Sequence, residues 1–142
     1  MRKRVMVVED DEFIGEVIAR SLDEQGYCVD VFRSGLRIWD YLKRHRPSLI
    51  LLDLALPNED GLTICRKLRG EPSTAAVPIV IVSAMSQPRT VNAAIEAGAN
   101  DFIRKPFDIE ELVKAAKTYA RQRYKAAGPS PLIIQTSTSP AV

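Results

Sequence analysis

The chain has 142 residues, the size of one ordinary domain and too short for two. Twenty Lys plus Arg against 18 Asp plus Glu leave a net charge of +2, so charge alone implies neither a nucleic-acid binder nor a membrane-surface binder. A hydrophobic content of 46% excludes a disordered chain, while the 2 cysteines, Cys28 and Cys65, exclude a disulfide framework and fit a reducing, cytoplasmic compartment.

The basic start Met1-Arg2-Lys3-Arg4 leads into the apolar run Val5-Met6-Val7-Val8, which stops at Glu9-Asp10. That is too short for the core of a signal peptide. No apolar run reaches the roughly 18 residues of a spanning helix. Asp53 breaks the longest candidate, Leu49 to Leu56. Val5-Met6-Val7-Val8 is the first predicted strand. Behind it, Asp11 and Glu12 open a helix whose apolar stripe is Ile14, Val17, Ile18 and Leu22, stopped by Gly26. Cys28-Val29-Asp30-Val31-Phe32 is the second strand and the more alternating one. Leu36, Trp39 and Leu42 form the next helical stripe, ended by Pro47.

Leu49-Ile50-Leu51-Leu52 is the third strand, and Leu62, Cys65 and Leu68 mark a helix ended by Gly70 and Pro72. Ile79-Val80-Ile81-Val82 is the fourth strand; a helix around Val91, Ala94 and Ile95 stops at Gly98. Phe102-Ile103 is a short fifth strand. The last helix carries Ile109, Leu112, Val113, Ala116 and Ala120, with Asp108 as N-cap and Glu110 and Glu111 in its first turn. Runs of four apolar residues without alternation predict strands buried on both faces. Strand and helix alternate five times. The expected fold is therefore α/β: an open, doubly wound (βα)5 parallel sheet with helices on both faces. The folded domain is expected over residues 1–126. Residues 127–142, rich in Pro, Ser and Thr after Gly128 and without charge, read as a flexible tail or linker whose one apolar patch is Leu132-Ile133-Ile134.

In open α/β sheets, function collects at the carboxyl ends of the strands. The first strand runs into Glu9-Asp10, the third ends in Asp53, the fourth in Ser83-Ala84, and the fifth leads to Lys105-Pro106. If the first and third strands are neighbours, Glu9, Asp10 and Asp53 meet. Two carboxylates about 4 Å apart repel by roughly 4 kcal/mol at an effective dielectric of about 20. Such a cluster calls for a cation or a raised pKa, and an oxygen-rich set suits Mg²⁺ or Mn²⁺. Lys105 adds an ammonium and Ser83 a hydroxyl. Together they describe a phosphoryl-transfer site in which Asp53 attacks in line.

Four segments carry a resemblance: Val7-Val8-Glu9-Asp10-Asp11; Leu51-Leu52-Asp53-Leu54-Ala55-Leu56-Pro57 with Asp60-Gly61; Ile81-Val82-Ser83-Ala84; and Gly98-Ala99-Asn100-Asp101-Phe102-Ile103-Arg104-Lys105-Pro106-Phe107. In order and content they resemble the receiver domain of two-component response regulators over about residues 3–125. The resemblance implies a flavodoxin-like sheet of order 2-1-3-4-5. It implies that Asp53 accepts a phosphoryl group from a histidine kinase or histidine phosphotransfer protein. It also implies Mg²⁺ (Mn²⁺ in its place) on Asp10, Asp53 and the Ala55 carbonyl, with Glu9 helping through water. Ser83 becomes the switch hydroxyl, and Lys105 pairs with Asp53 or the phosphoryl group across a cis Lys105–Pro106 bond. Phe102 becomes an aromatic switch that swings inward; the alternative for it is plain core packing, with the ring half-buried in either state. Small Ala84 leaves the phosphoryl group accessible, and neither Ala55 nor Met85 can position a water, so the acyl phosphate should not be lost quickly.

The expected output is a phosphorylation-dependent change of the surface formed by the fourth helix, fifth strand and fifth helix. Gln87, Arg89, Asn92, Arg104, Lys114 and Arg121 are the candidate exposed residues there. Val91, Asn100 and Ala115 stand where dimerising relatives carry charge pairs, which predicts a monomer or weak homodimer. The basic residues Lys117, Arg121, Arg123 and Lys125 lack interleaved aromatics, so they read as a solvated helix end and not as a nucleic-acid site. The expected role is a signalling switch with a protein effector, not an enzyme and not a membrane protein. The chain is either a stand-alone receiver or the N-terminal receiver of a longer regulator. Among other classes, a flavin-binding protein would need a hydroxyl- and Gly-rich loop where Glu9-Asp10-Asp11-Glu12 stands. An aspartyl phosphohydrolase would use Asp10 and Glu12, but no cap domain is evident. The intact acids, Ser83 and Lys105 argue against a phosphorylation-independent scaffold, and no Gly-rich fingerprint supports a dinucleotide enzyme.

Overall fold

A computed structural model describes residues 2–121. The tail and the domain boundary at 126/127 lie outside the described residues, as do Arg123, Lys125 and the patch at 132–134. The strands are β1 (Arg4–Val8), β2 (Cys28–Phe32), β3 (Leu49–Leu52), β4 (Ile79–Ser83) and β5 (Asp101–Arg104). The helices are α1 (Glu12–Glu24), α2 (Ile38–Arg44), α3 (Gly61–Gly70), α4 (Pro88–Glu96) and α5 (Ile109–Tyr119). All strand pairs are parallel and the sheet order is β2-β1-β3-β4-β5.

The apolar runs bury both faces of the sheet because successive side chains point to opposite sides. Met6, Val8, Ile50, Leu52, Ile79 and Ile81 face one core under α2, α3 and α4. Val5, Val7, Leu49, Leu51, Val80 and Val82 face the other, under α1 and α5. Helix starts follow from side-chain caps: Asp11 accepts from Ile14 N and Asp60 from Thr63 N. Asp108 holds the N-cap position of α5, but its side chain makes no capping bond.

Three expectations need correction. Leu36 precedes α2 and is 69% exposed, because the helix begins at Ile38 and turns Ile38 and Tyr41 into the core; Trp39 and Leu42 pack only at its margin. Ile109 is 42% exposed, since the buried face of α5 is Leu112, Ala115, Ala116 and Tyr119. The fifth strand is longer than its apolar pair: Asp101 and Arg104 join the ladder opposite Val80 and Ser83. No helix among the described residues is long and apolar enough to cross a membrane.

Candidate functional site

A parallel sheet delivers all its carboxyl ends to one edge. Val8 and Leu52 are register partners on β1 and β3, so the residues that follow, Glu9 and Asp53, emerge side by side. Backbone bonds extend the ladder past the strands: Asp53 N donates to Val8 O (3.0 Å), Glu9 N to Phe32 O (2.8 Å) and Lys105 N to Ser83 O (3.0 Å). One carboxylate oxygen from each of Glu9, Asp10 and Asp53 falls within 4.8 Å of the others.

Glu9 and Asp53 are only 2% and 5% exposed, whereas Asp10 is open to solvent. Lys105 Nζ donates to Asp53 Oδ2 at 2.8 Å and lies 2.7 Å from Glu9 Oε1, the latter a charge contact and not an aligned hydrogen bond. The second oxygens are held by backbone: Glu9 Oε2 accepts from Asp11 N (3.1 Å) and Asp53 Oδ1 from Ala55 N (3.2 Å). Burial pushes the Glu9 carboxyl above its usual range, and the charge of Asp53 adds to this, against the pull of Lys105 and Asp11 N. For Lys105, burial acts downward, but the hydrogen bond to Asp53 and the close carboxylates of Asp53 and Glu9 outweigh it and leave the ammonium raised.

Three carboxylates thus face one ammonium. The excess negative charge, the all-oxygen donors and the exposed side at Asp10 fit a hard divalent cation. The acidic cluster could bind a metal ion through Glu9, Asp10 and Asp53. Ala55, expected to lend a carbonyl, is exposed on the loop beside Asp53. Ser83 is fully buried at the end of β4, its Oγ accepting from Met85 N at 3.2 Å, while Ala84 and Met85 are exposed. The Lys105–Pro106 peptide is cis, as expected.

Residues 5–117 match the family model of the response regulator receiver domain. The chain belongs to this family. Response regulator MprA of Mycobacterium sp. (strain KMS) is 34% identical over 129 residues, which are 91% of this chain and 55% of that protein. The chain therefore spans about half the length of the curated relatives it matches. The BeF3-activated N-terminal receiver domain of Klebsiella pneumoniae RstA superposes with a TM-score of 0.78 at 33% identity, over 84% of this chain and 100% of that one. The receiver domain of a sensor histidine kinase from Pseudomonas aeruginosa PAO1, solved with a magnesium ion coordinated in its active site cleft, gives 0.77 at 28% identity, over 84% and 98%.

Within the receiver, Phe102 departs from its expectation. The ring is not half-buried: it is 0% exposed, inside the core that holds Ile81, Val91 and Ala94. Without a hydroxyl the ring has no group that needs water. Of the candidate output residues, Gln87, Arg89, Asn92, Lys114 and Arg121 are exposed, while Arg104 is half-buried with its Nε unpartnered. Val91, Asn100 and Ala115 are buried.

Gly61 follows Asp60 in a receiver-like segment and carries no chemistry of its own. A Cβ there would lie 2.2 Å from Asp53 O and 2.7 Å from Leu54 Cα. The first turn of α3 therefore rests on the backbone that carries Asp53. The only sequence signal was a glycine at a helix start behind the capping Asp60.

Proposed function

We propose that Asp53 is the phospho-acceptor of this receiver, taking a phosphoryl group from a phosphohistidine of a histidine kinase or phosphotransfer protein. A carboxylate oxygen attacks phosphorus; the P–O bond forms as the P–N bond breaks, and the imidazole leaves and takes up a proton. The observation that carries this reading is the Lys105 ammonium seated between Asp53 and Glu9 beside the third carboxylate of Asp10.

Bound Mg²⁺, or Mn²⁺, would supply charge neutralisation for the phosphoryl oxygens, held by Glu9, Asp10, Asp53 and the Ala55 carbonyl. The chain's own groups do the rest. Lys105 can exchange a carboxylate oxygen for a phosphoryl oxygen without leaving the site. Ser83 Oγ accepts from the Met85 N–H through one of its own lone pairs, which leaves its proton free to donate to an oxyanion. Turning that hydroxyl toward the phosphoryl group draws on the Ala84-Met85 backbone and so on the entry to α4. Phe102 already occupies the inward position, so the shift lies in this loop and Lys105 more than in the ring. The readout is the surface of α4, β5 and α5, recognised by an effector protein or domain, with no direct nucleic-acid contact by this domain. The receiver acts as a switch in the cytoplasm and not as an enzyme.

A second reading concerns context: the receiver is the N-terminal part of a longer regulator. The coverage of MprA, 55% of its length, supports it. Incubation with Mg²⁺ and a small acyl-phosphate donor, followed by intact mass measurement, tests the main reading. The wild type should gain one phosphoryl mass and Asp53→Asn none. Modification of Asp10 in place of Asp53 would favour a phosphohydrolase-like site and overturn it.

A further inference from the structure

The connections at the amino ends of the strands form a second polar site unrelated to Asp53. The α2–β3 segment brings Lys43, Arg44, His45 and Arg46 together along a cleft of about 190 Å³ closed on its other side by Ser73 and Thr74. Lys43, Arg44 and Arg46 are exposed, and among the described residues none of them has an ion pair, a hydrogen bond or another charge partner. Asp40, one turn earlier on α2, pairs with none of them. Two basic residues in a last helical turn are expected, because they offset the roughly half charge of the helix end. A third, Arg46, lies beyond the helix, and three unpaired cations along one small cleft exceed that need.

The walls are fixed before any ligand arrives. The His45 ring packs against Tyr41 at 4.8 Å, and Tyr41 Oη donates to Asp30 Oδ2 at 2.8 Å. Opposite, Thr74 Oγ1 donates to Leu68 O (2.6 Å), and Arg69 Nη1 donates to Val77 O (2.6 Å) and Ala75 O (3.1 Å). Charge +3, two arginine forks and a serine hydroxyl select oxyanions, and the forks favour the paired oxygens of phosphate. At about 30 Å³ per water the cleft equals roughly six waters, well below the ~300 Å³ at which drug-sized pockets begin. It has room for one or two phosphate groups and none for a base or a peptide helix.

We propose that this cleft binds the diphosphate group of a small polyphosphate anion, at the opposite end of the strands from the phospho-acceptor. Six residue steps, about 20 Å at 3.3 Å each, separate Pro47 on its wall from Asp53. Ligand here leaves the acidic site open. The anion is either free pyrophosphate or the diphosphate of a nucleotide whose remainder lies in solvent.

The test titrates inorganic pyrophosphate, and separately ADP, into the full chain in metal-free buffer, followed by backbone amide NMR. Saturable shifts are expected at residues 42–46 and 73–74, the cleft-lining positions that carry a backbone N–H. Lys43→Ala/Arg44→Ala/Arg46→Ala should weaken binding roughly tenfold or more, whereas Lys114→Ala/Lys117→Ala on α5 should weaken it no more than about twofold. Arg46→Glu alone serves if the triple variant folds poorly. Tighter binding of ADP identifies a nucleotide; equal binding identifies the diphosphate alone. No saturation by about 10 mM, equal losses in both sets of variants, or binding of duplex DNA only would overturn the proposal.

Discussion

Replacing Gly61 by alanine sets two effects against each other at the start of α3. Alanine gains about 1 kcal/mol over glycine inside a helix. Against this, the new Cβ would stand 2.2 Å from Asp53 O, 2.7 Å from Leu54 Cα and 2.9 Å from Asp53 C. All three are backbone atoms, and no rotamer change relieves them. The Gly61 N–H donates to Leu54 O at 2.9 Å, so helix and loop cannot separate freely. Reaching a tolerable contact needs a shift of about 1 Å, and forced overpacking costs roughly 1–3 kcal/mol, sometimes more. The steric term wins, and the net expectation is a loss of about 1–3 kcal/mol.

Gly70, at the other end of the same helix, supplies the control. A Cβ there meets nothing within 4 Å. Gly70→Ala should therefore stabilise by about 0.5–1 kcal/mol, mainly by restricting the unfolded chain. Urea unfolding of both variants reads the difference directly: the midpoints should move in opposite directions. Phosphorylation of Asp53 should slow in Gly61→Ala and not in Gly70→Ala, because only the first displaces the carboxylate. A Gly61→Ala midpoint equal to or above that of Gly70→Ala would refute the packing argument.

Lys105→Met leaves Glu9 and Asp53 buried without their shared cation, so stability should fall by roughly 3–5 kcal/mol; adding Glu9→Gln should restore part of it, and urea unfolding of the single and double variants checks the coupling. Burial lifts the Asp101 carboxyl to about 6, Glu111 adding to the effect, and hydrogen bonds from Phe102 N and Tyr119 Oη oppose it. The folded value then exceeds the unfolded one, so the folded state holds the proton longer and stability falls as pH rises from about 4 to 6, by up to about 3 kcal/mol. Asp101→Asn removes this dependence: its stability relative to wild type should climb over that window and then level off, and a flat difference would show that burial does not govern Asp101. Once formed, phospho-Asp53 should outlast the seconds scale, because Ala55 and Met85 offer no group to position a water; decay followed by mass measurement over minutes decides it.

The strands were legible because a buried parallel strand leaves an apolar run with a sharp end, and β2 and β3 coincide with their runs. Their ends then located Glu9, Asp53, Ser83 and Lys105 without any knowledge of side-chain contacts, since a parallel sheet sends every carboxyl end to one edge. Helix faces were less legible. In α2, spacing alone favoured Leu36, Trp39 and Leu42, whereas the chain enters the helix only at Ile38, and a short helix gives periodicity little to work on. Polar strand residues were missed for a similar reason. Asp101 falls outside the apolar pair that marks the fifth strand, yet it is buried with Tyr119 as a hydrogen-bond donor, 18 positions away in sequence. The basic cleft at the amino ends was invisible because its two walls come from separate connections.

Phe102 shows where a resemblance and a packing argument part. The resemblance implies a ring that moves inward on signalling, and the alternative is a ring that simply packs in the core. The ring is fully buried in the core that also holds Ile81, Val91 and Ala94, while Ser83 Oγ accepts from Met85 N. Moving the ring outward would expose one of the largest apolar surfaces in the domain and leave a void behind it; removing a buried Phe side chain costs about 3–5 kcal/mol. A phosphoryl group that gains one hydrogen bond from Ser83 and one from Lys105 does not need to overcome that cost if the ring stays where it is. The energetics therefore favour a switch whose moving part is the short exposed Ala84-Met85 segment, with Phe102 as the fixed floor against which it turns.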